Sequence, residues 1–409
     1  MEKMKHHLYI IVFILTLLSI ACTLLNSELQ RNLYYIAIYL GLLGIGFERK
    51  NINFRKFNIA YPIILFGIVK LVWFFLLQHG PEGYDRFSDQ LNGGKKLVLG
   101  GLLVFYLSQC RDYLQSINYK KIVLFVTGAA FLAASCYAIW QSMHGMVRAE
   151  MGTNRATLSA YIYSGLSIFL IFLLYTQREK KYYGLAALTI IFSFIIAILT
   201  GTRAVIIFHL PIVILMTAYF FKKIHLKSSI IIILISSLAI ASLYNRYIQP
   251  KIIQTFNEVS LYQQGHDNTS LGARFSMWAV GLKNFIHAPL GQSFDSRLEY
   301  SAQYVKEKTQ HRSAMKYISV HLHDELIETL SLQGIFGGIA LLWLYISIAW
   351  IALKNRNTPL LFTINCMVVY GLSDVLLLSS EAILFYIALI GLCSVISNPR
   401  HEEMKINPG

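Results

Sequence analysis

Leu8-Tyr-Ile-Ile-Val-Phe-Ile-Leu-Thr-Leu-Leu-Ser-Ile-Ala-Cys-Thr-Leu-Leu25 carries no charge, and its polar atoms are confined to hydroxyls and one thiol. As a helix, such a run is long enough to cross a hydrocarbon layer of ~30 Å, which takes roughly 17 to 25 residues. Comparable runs follow from Phe57 to Leu77, Ile122 to Trp140, Ala160 to Thr176, Gly184 to Thr200, Ala204 to Phe221, Ser229 to Leu243, Ile335 to Leu353 and Leu360 to Leu378. Shorter ones run from Leu33 to Phe47, Leu97 to Cys110 and Ala382 to Ile396, giving about twelve spans in all. The first run lacks a small-residue cleavage signature and is closely followed by another, so it reads as a retained span.

The whole composition agrees with that reading. Of 409 residues, 56% are hydrophobic and 14% charged, against about a quarter charged in soluble domains. The unbroken apolar runs also exclude a membrane β-barrel, whose strands would alternate in polarity. The fold class expected is therefore an all-α polytopic membrane protein. A net charge of +15 would suggest nucleic acid in a soluble protein; here it is read through the sidedness of Lys and Arg, and no nucleic-acid partner is expected. The five cysteines, Cys22, Cys110, Cys136, Cys366 and Cys393, lie in or beside apolar runs with neither disulfide nor zinc spacing.

With Met1 to Lys5 inside, alternate connections hold about 19 Lys and Arg against about 7 in the five short loops opposite. Both termini are then cytoplasmic. The longest polar stretch, Tyr244 to Leu332, falls on the outer face. The chain thus divides into spans one to nine (1–243), an outer loop (244–332), and spans ten to twelve with a tail (333–409). Inside the loop, Leu271, Phe275, Trp278, Leu282 and Phe285 recur at helical spacing and predict an apolar face against the bundle or membrane. A second helix is expected from Asp324, interrupted at Gly334 before the tenth span, which places His323 near a helix start.

Candidate chemistry gathers on that outer face. Arg203, in the tight turn Thr200-Gly-Thr-Arg203, presents a planar, permanently charged fork suited to phosphate or diphosphate, the alternative being a snorkelling interfacial arginine. Arg274 opens the amphipathic helix, whose first amides could add donors to the same anion. His321-Leu-His323-Asp-Glu325 is the densest titratable cluster, and a histidine there can take a proton from an attacking hydroxyl. Arg148, Arg155, Lys95 and Lys96 add positive charge that can guide an acidic substrate. Asp374 and Lys70 fall inside apolar runs; Asp374 can support the site, and Lys70 reads as a snorkelling lysine. No D-x-D or further ligand set is present, so no metal or cofactor is expected.

Thr200-Gly-Thr-Arg203, Ser270-Leu-Gly-Ala-Arg274-Phe-Ser-Met-Trp-Ala-Val-Gly-Leu282, and His321-Leu-His323-Asp-Glu-Leu-Ile-Glu328 with Gly334 and Gly337 together resemble the O-antigen ligase family. The last segment reproduces the family's spacing of His, a polar residue, nine residues, Gly, two residues, Gly. Asp324 departs from it, since Asn, Ser or Gln is usual there. The resemblance spans nearly the whole chain. It implies an inverting, metal-independent glycosyltransferase of the C type in a Gram-negative inner membrane, with its site in the periplasm. The implied donor is O-antigen polysaccharide on undecaprenyl diphosphate and the implied acceptor an outer-core sugar of lipid A-core. Arg203 and Arg274 would then hold the diphosphate and His323 would activate or orient the acceptor hydroxyl. The rivals are an O-antigen polymerase, which uses another lipid-linked glycan as acceptor, and a transporter or flippase of lipid-linked glycans. The second should show broken helices and midplane charges in symmetric halves.

Overall fold

The computed structural model describes residues 2–54, 57–77, 88–116, 118–220, 249–307 and 311–396. The expected span from Ser229 to Leu243, the basic residues Arg55, Lys56, Lys222, Lys223 and Lys227, and the tail after Asn398 lie outside them. Among the described residues every regular element is helical: α1 (Glu2–Cys22), α2 (Ser27–Glu48), α3 (Ala60–Leu77), α4 (Ser88–Gln109), α5 (Tyr119–Met143), α6 (Ala156–Thr176), α7 (Lys180–Thr200) and α8 (Arg203–Phe220), then α9 (Gln249–Gln263), α10 (Ser270–His287) and α11 (Phe294–Glu307), and finally α12 (Glu325–Lys354), α13 (Thr358–Gly371) and α14 (Ser380–Val395). Seven of these, α1, α3, α5, α6, α7, α8 and α12, are long and apolar enough to cross a membrane, and α13 and α14 are shorter apolar helices. The molecule is a polytopic helical membrane protein.

Two helices show how composition decides packing. α6 and α14 are apolar on all sides, and nearly every residue of each is buried, as a helix without a polar face requires. The outer helices bury one side only. Phe125 and Leu132 of α5 and Ile339 and Ile346 of α12 stand more than half exposed, a surface fit for lipid and not for water. All five cysteines are free.

α12 is two helices joined through Gly334, whose φ of 64° and ψ of −157° no helix contains. The break is filled by the 288–292 turn: Ile335 N donates to Pro289 O at 2.9 Å and Gln292 N to Leu332 O at 2.9 Å. A β-carbon on Gly334 would meet this backbone, so both the positive φ and the close approach demand glycine. The interruption expected at Gly334 is thus a kink with its backbone groups satisfied.

Several connections expected in apolar runs differ. α4 starts at Ser88, two turns before the expected Leu97, so Lys95 and Lys96 lie within it. The run from Leu360 to Leu378 is helical only to Gly371; residues 372–379 form a folded connection into α14. Asp374 lies in that connection and not inside a helix. In α10 the small residues Gly272, Ala273, Ser276 and Gly281 are buried with Met277 and Val280, while of the expected apolar face Leu271, Phe275, Trp278 and Phe285 are half-buried and Leu282 is 45% exposed.

One end of the bundle gathers the connections α1–α2, α5–α6, α7–α8 and α13–α14. Gly152 N donates to Leu24 O, Ala149 N to Leu199 O, and Gln30 Nε2 to Glu381 O. The other end is held by Glu48, which takes the Lys5 ammonium at 3.2 Å and the Tyr113 hydroxyl at 2.7 Å. The long polar loop seats on the first end, through α10 packing on α12 and through the 288–292 turn.

Candidate functional site

The His-bearing segment approaches α12 in a bent backbone. Asp324 caps the helix, its Oδ1 accepting from Ile327 N at 2.8 Å, because a short carboxylate can satisfy an amide that the first helical turn leaves unpaired. That cap puts His323 just outside the helix in the left-handed region, φ 52°, a conformation an ordinary side chain holds only under constraint. His323 N donates to His321 Nδ1 at 3.3 Å, and the two rings meet edge to face with centroids 4.2 Å apart.

Asp374 faces both rings from the 372–379 connection. Its Oδ1 lies 3.2 Å from His323 Nδ1 and 3.8 Å from His321 Nδ1, and it also accepts from Val375 N at 2.9 Å. Burial pushes the Asp374 carboxyl up, but the His323 hydrogen bond, the two imidazoles and the Val375 N–H together hold it below the usual aspartate value. Burial, then His323, pushes His321 down against the opposing pull of Asp374. With its proton on Nδ1, His323 donates to Asp374 and leaves Nε2 as a base.

Three arginines act electrostatically on the residues about this pair, Arg155 on His321 and Arg148 and Arg274 on Tyr161. Asp374 also acts on Tyr161, near the start of α6. Arg148 is exposed and anchored: its Nε donates to Thr200 O at 2.7 Å and its Nη2 to Thr157 Oγ1 and Thr202 Oγ1, both at 3.2 Å. Arg155 pairs with Glu381 at 2.9 Å and acts on His321. Arg274 is half-buried and makes no hydrogen bond or ion pair among the described residues.

Arg203 is placed differently. Glu258, from α9, takes both its terminal nitrogens, at 3.1 Å and 2.7 Å, and also accepts from Leu271 N at 2.9 Å. Gly272 N and Ala273 N of the first turn of α10 donate to Thr269 Oγ1 and Thr269 O. The amides expected to serve an anion are thus engaged by Glu258 and Thr269, since a carboxylate is favoured at the positive end of a helix. Of the two adjacent lysines, Lys95 is exposed, whereas Lys96 is buried, bonds Ser380 and acts on Glu381. Only Lys96 is tied into the α13–α14 end; one step along α4 separates them by about 100°.

Behind the site lie charges that periodicity did not single out. Arg297 of α11 is fully buried and donates to Glu328 at 2.9 Å, Ser331 Oγ at 3.1 Å and Ile318 O at 3.1 Å, with its guanidinium over the Phe294 ring. Glu328 also accepts from Leu322 N at 2.9 Å. Lys70 does not snorkel: it is 2% exposed and its Nζ donates to Leu377 O at 2.7 Å. The connection that carries Asp374 supplies that carbonyl, so the ammonium is satisfied inside the protein. Glu258 and Arg297 sit in polar helices where a charge reads as solvated, so the sequence carried no signal for their burial. Glu325 and Glu328 were inside the quoted motif, one turn apart on the inner side of α12.

His321, His323 and Asp374 each bring one ligand atom, all within 4.8 Å of one another, so two imidazoles and a carboxylate could also hold a metal ion. The class so defined is a polytopic membrane protein that presents a His–Asp pair among arginines at one end of its bundle. The O-antigen ligase family model matches residues 188–342, from α7 into α12. A protein of Escherichia coli (strain K12) described as an O-antigen ligase is 31% identical over 407 residues, covering 96% of this chain and 94% of that protein. A Haemophilus influenzae (strain ATCC 51907 / DSM 11121 / KW20 / Rd) protein described as uncharacterized is 27% identical over 270 residues, 62% of this chain and 65% of its own. The chain belongs to the O-antigen ligase family.

Proposed function

We propose that this protein transfers O-antigen polysaccharide from undecaprenyl diphosphate to an outer-core sugar of lipid A-core, at the periplasmic face of the Gram-negative inner membrane. The carrying observation is the His323–Asp374 contact at 3.2 Å among arginines. The reading includes twelve spans in a C-type glycosyltransferase fold, with spans over 1–243 and 333–409, a periplasmic loop over 244–332 and cytoplasmic termini.

In this mechanism the acceptor hydroxyl attacks the anomeric carbon of the first donor sugar from the face opposite the diphosphate. The new C–O bond forms as the bond to the diphosphate oxygen breaks, so configuration inverts. The hydroxyl proton passes to His323 Nε2, and the Asp374 carboxylate stabilises the imidazolium through Nδ1–H. Undecaprenyl diphosphate leaves with the electron pair. Arg274, with Arg148 and Arg203 beside it, neutralises that charge in a site partly closed to water; His321, Arg155 and the α4 lysine pair form its rim. Arg203 engages the diphosphate by exchanging its bond to Glu258.

The reaction is metal-independent on this reading, because a cationic wall supplies the charge and His323 is satisfied by Asp374. EDTA leaves the purified enzyme's rate unchanged. Loss of rate restored by a divalent cation would instead assign His321, His323 and Asp374 to a metal. The deciding experiment is the lipopolysaccharide pattern of a strain lacking the protein. The expected result is loss of the whole ladder while long polymer accumulates on undecaprenyl diphosphate. Core bearing a single repeat would mean a polymerase, and an unchanged ladder would remove glycan transfer altogether.

A further inference from the structure

We infer that Lys70 and Glu325 are positioning residues that set the distance between Asp374 and His323 by clamping both backbone groups of Leu377. This rests on the reading of His323 and Asp374 as the reacting pair and adds what holds them together.

The two residues come from different helices and meet at one residue, on the two peptide groups that flank its α-carbon. Leu377 O accepts from Lys70 Nζ of α3 at 2.7 Å, and Leu377 N donates to Glu325 Oε2 of α12 at 2.8 Å. Lys70 and Glu325 are each 2% exposed. Glu325 and Glu328 are the acidic groups acting on Lys70, and Lys70 also lies 5.2 Å from the Phe66 ring centroid. A buried ammonium and a buried carboxylate are expensive, and an apolar pair of similar volume would hold the helices together as well or better. Packing alone therefore gives no reason for them.

Position does. Leu377 is three residues beyond Asp374 in a connection that is not helical, and among the described residues Asp374 is tied, apart from the two imidazoles, by short local bonds to Tyr370 O and Val375 N. Glu325 follows Asp324 and His323 directly in the chain, so the carboxylate that grips the Asp374 turn is two residues from the imidazole that Asp374 must reach. α12 thus carries His323 at its start and holds the opposing turn through its first residue. Lys70 closes the clamp from α3 by taking the carbonyl of Leu377. Reacting groups displaced by about 1 Å can lose up to about 100-fold in rate, which is the sensitivity such a clamp protects against.

The test uses the full-length protein in proteoliposomes with a lipid-linked glycan donor and rough lipopolysaccharide as acceptor. Lys70→Met/Glu325→Leu removes both charges at once, so neither is left unpaired. Its rate is compared in the wild-type and Asp374→Asn backgrounds, per inserted molecule. The expected result is a kcat reduced by up to about 100-fold with donor KM unchanged, and no further loss when Asp374 is already Asn. Equal losses in both backgrounds, or no loss in the first, would overturn the clamp. Full activity of Asp374→Asn alone would instead overturn the His–Asp reading, and the clamp with it. Glu325→Gln gives a second reading should the paired variant not accumulate. Its amide oxygen still accepts from Leu377 N, so it keeps most of the wild-type rate; a rate as low as that of Asp374→Asn would count against the clamp.

Discussion

The two halves of the candidate site are held in different ways. The His–Asp half is built by α12 and the α13–α14 connection and backed by charges with almost no exposure: Arg297 with Glu328, and Lys70 beside Glu325. The arginine half is carried by the α5–α6 loop, the α7–α8 turn and α10, where Arg155 and Arg203 pair with acids while 52% and 23% exposed. A general base must be aligned to a fraction of an ångström with its hydroxyl, whereas a cation stabilises a diphosphate over a wider range of positions. Bonds that cannot rearrange suit the first task and exchangeable ones the second.

The largest effect expected is at the reacting pair. His323→Ala should leave a correctly inserted protein whose kcat falls by about 10² to 10⁴, measured as ligation rate per molecule in proteoliposomes. Normal ligation would dissolve the division between the halves, since the buried scaffold would then support nothing chemical.

Next comes the scaffold itself. Arg297→Met leaves Glu328 charged, buried and facing an apolar side chain, which costs about 3 to 5 kcal/mol. The thermal unfolding midpoint in detergent should fall accordingly. Arg297→Met/Glu328→Leu should recover much of that loss, although Leu322 N then lacks its acceptor and activity stays low. Recovery of both would show that the pair serves stability alone.

The arginine half gives the sharper contrast. Arg274→Ala should lower kcat by about 10² to 10³, as loss of one donor to developing charge does, with the unfolding midpoint unchanged because Arg274 has no partner among the described residues. Arg203→Ala should lower the rate and also destabilise by roughly 1 to 3 kcal/mol, since it strips two charge-assisted hydrogen bonds from Glu258. Equal unfolding midpoints for the two variants would mean that the Arg203–Glu258 bond holds nothing together.

Much of this was legible in the sequence because membranes enforce simple rules. Most apolar runs fall on helices among the described residues, the stretch after Gly371 being the clearest exception, and the outer-face reading of His323 and Asp374 put on one side two groups that meet at 3.2 Å. What was not legible depended on long-range approach. Lys70 and Leu377 are 307 residues apart, and nothing in the apolar setting of Lys70 reveals that a carbonyl waits there. Arg297 likewise looks like any charge on a polar helix until α11 is laid against α12. The small-residue side of α10 gave no signal because periodicity weighs hydrophobicity, whereas close approach to Leu322 and Ile327 selects glycine at 281.

The smallest effect is expected at the cap that precedes α12. Asp324 is an N-cap, a task that Asn or Ser performs through the same geometry. Asp324 differs in its charge: burial raises its carboxyl above the ordinary aspartate value, outweighing the amides of Ile327 and Leu326 that favour the ionised form. A group whose folded value is raised contributes stability below its unfolded value and loses it as pH rises through the folded one. At neutral pH Asp324 therefore carries a net penalty, and Asp324→Asn should raise the unfolding midpoint slightly while flattening its decline between acid and neutral pH. Asp324→Ala should cost about 1 kcal/mol and lower kcat, because the cap fixes where His323 leaves the helix. An Asp324→Asn variant less stable than wild type at pH 7 would show that the charge is wanted for its own sake, which would move Asp324 from the scaffold of the His–Asp half into its electrostatics.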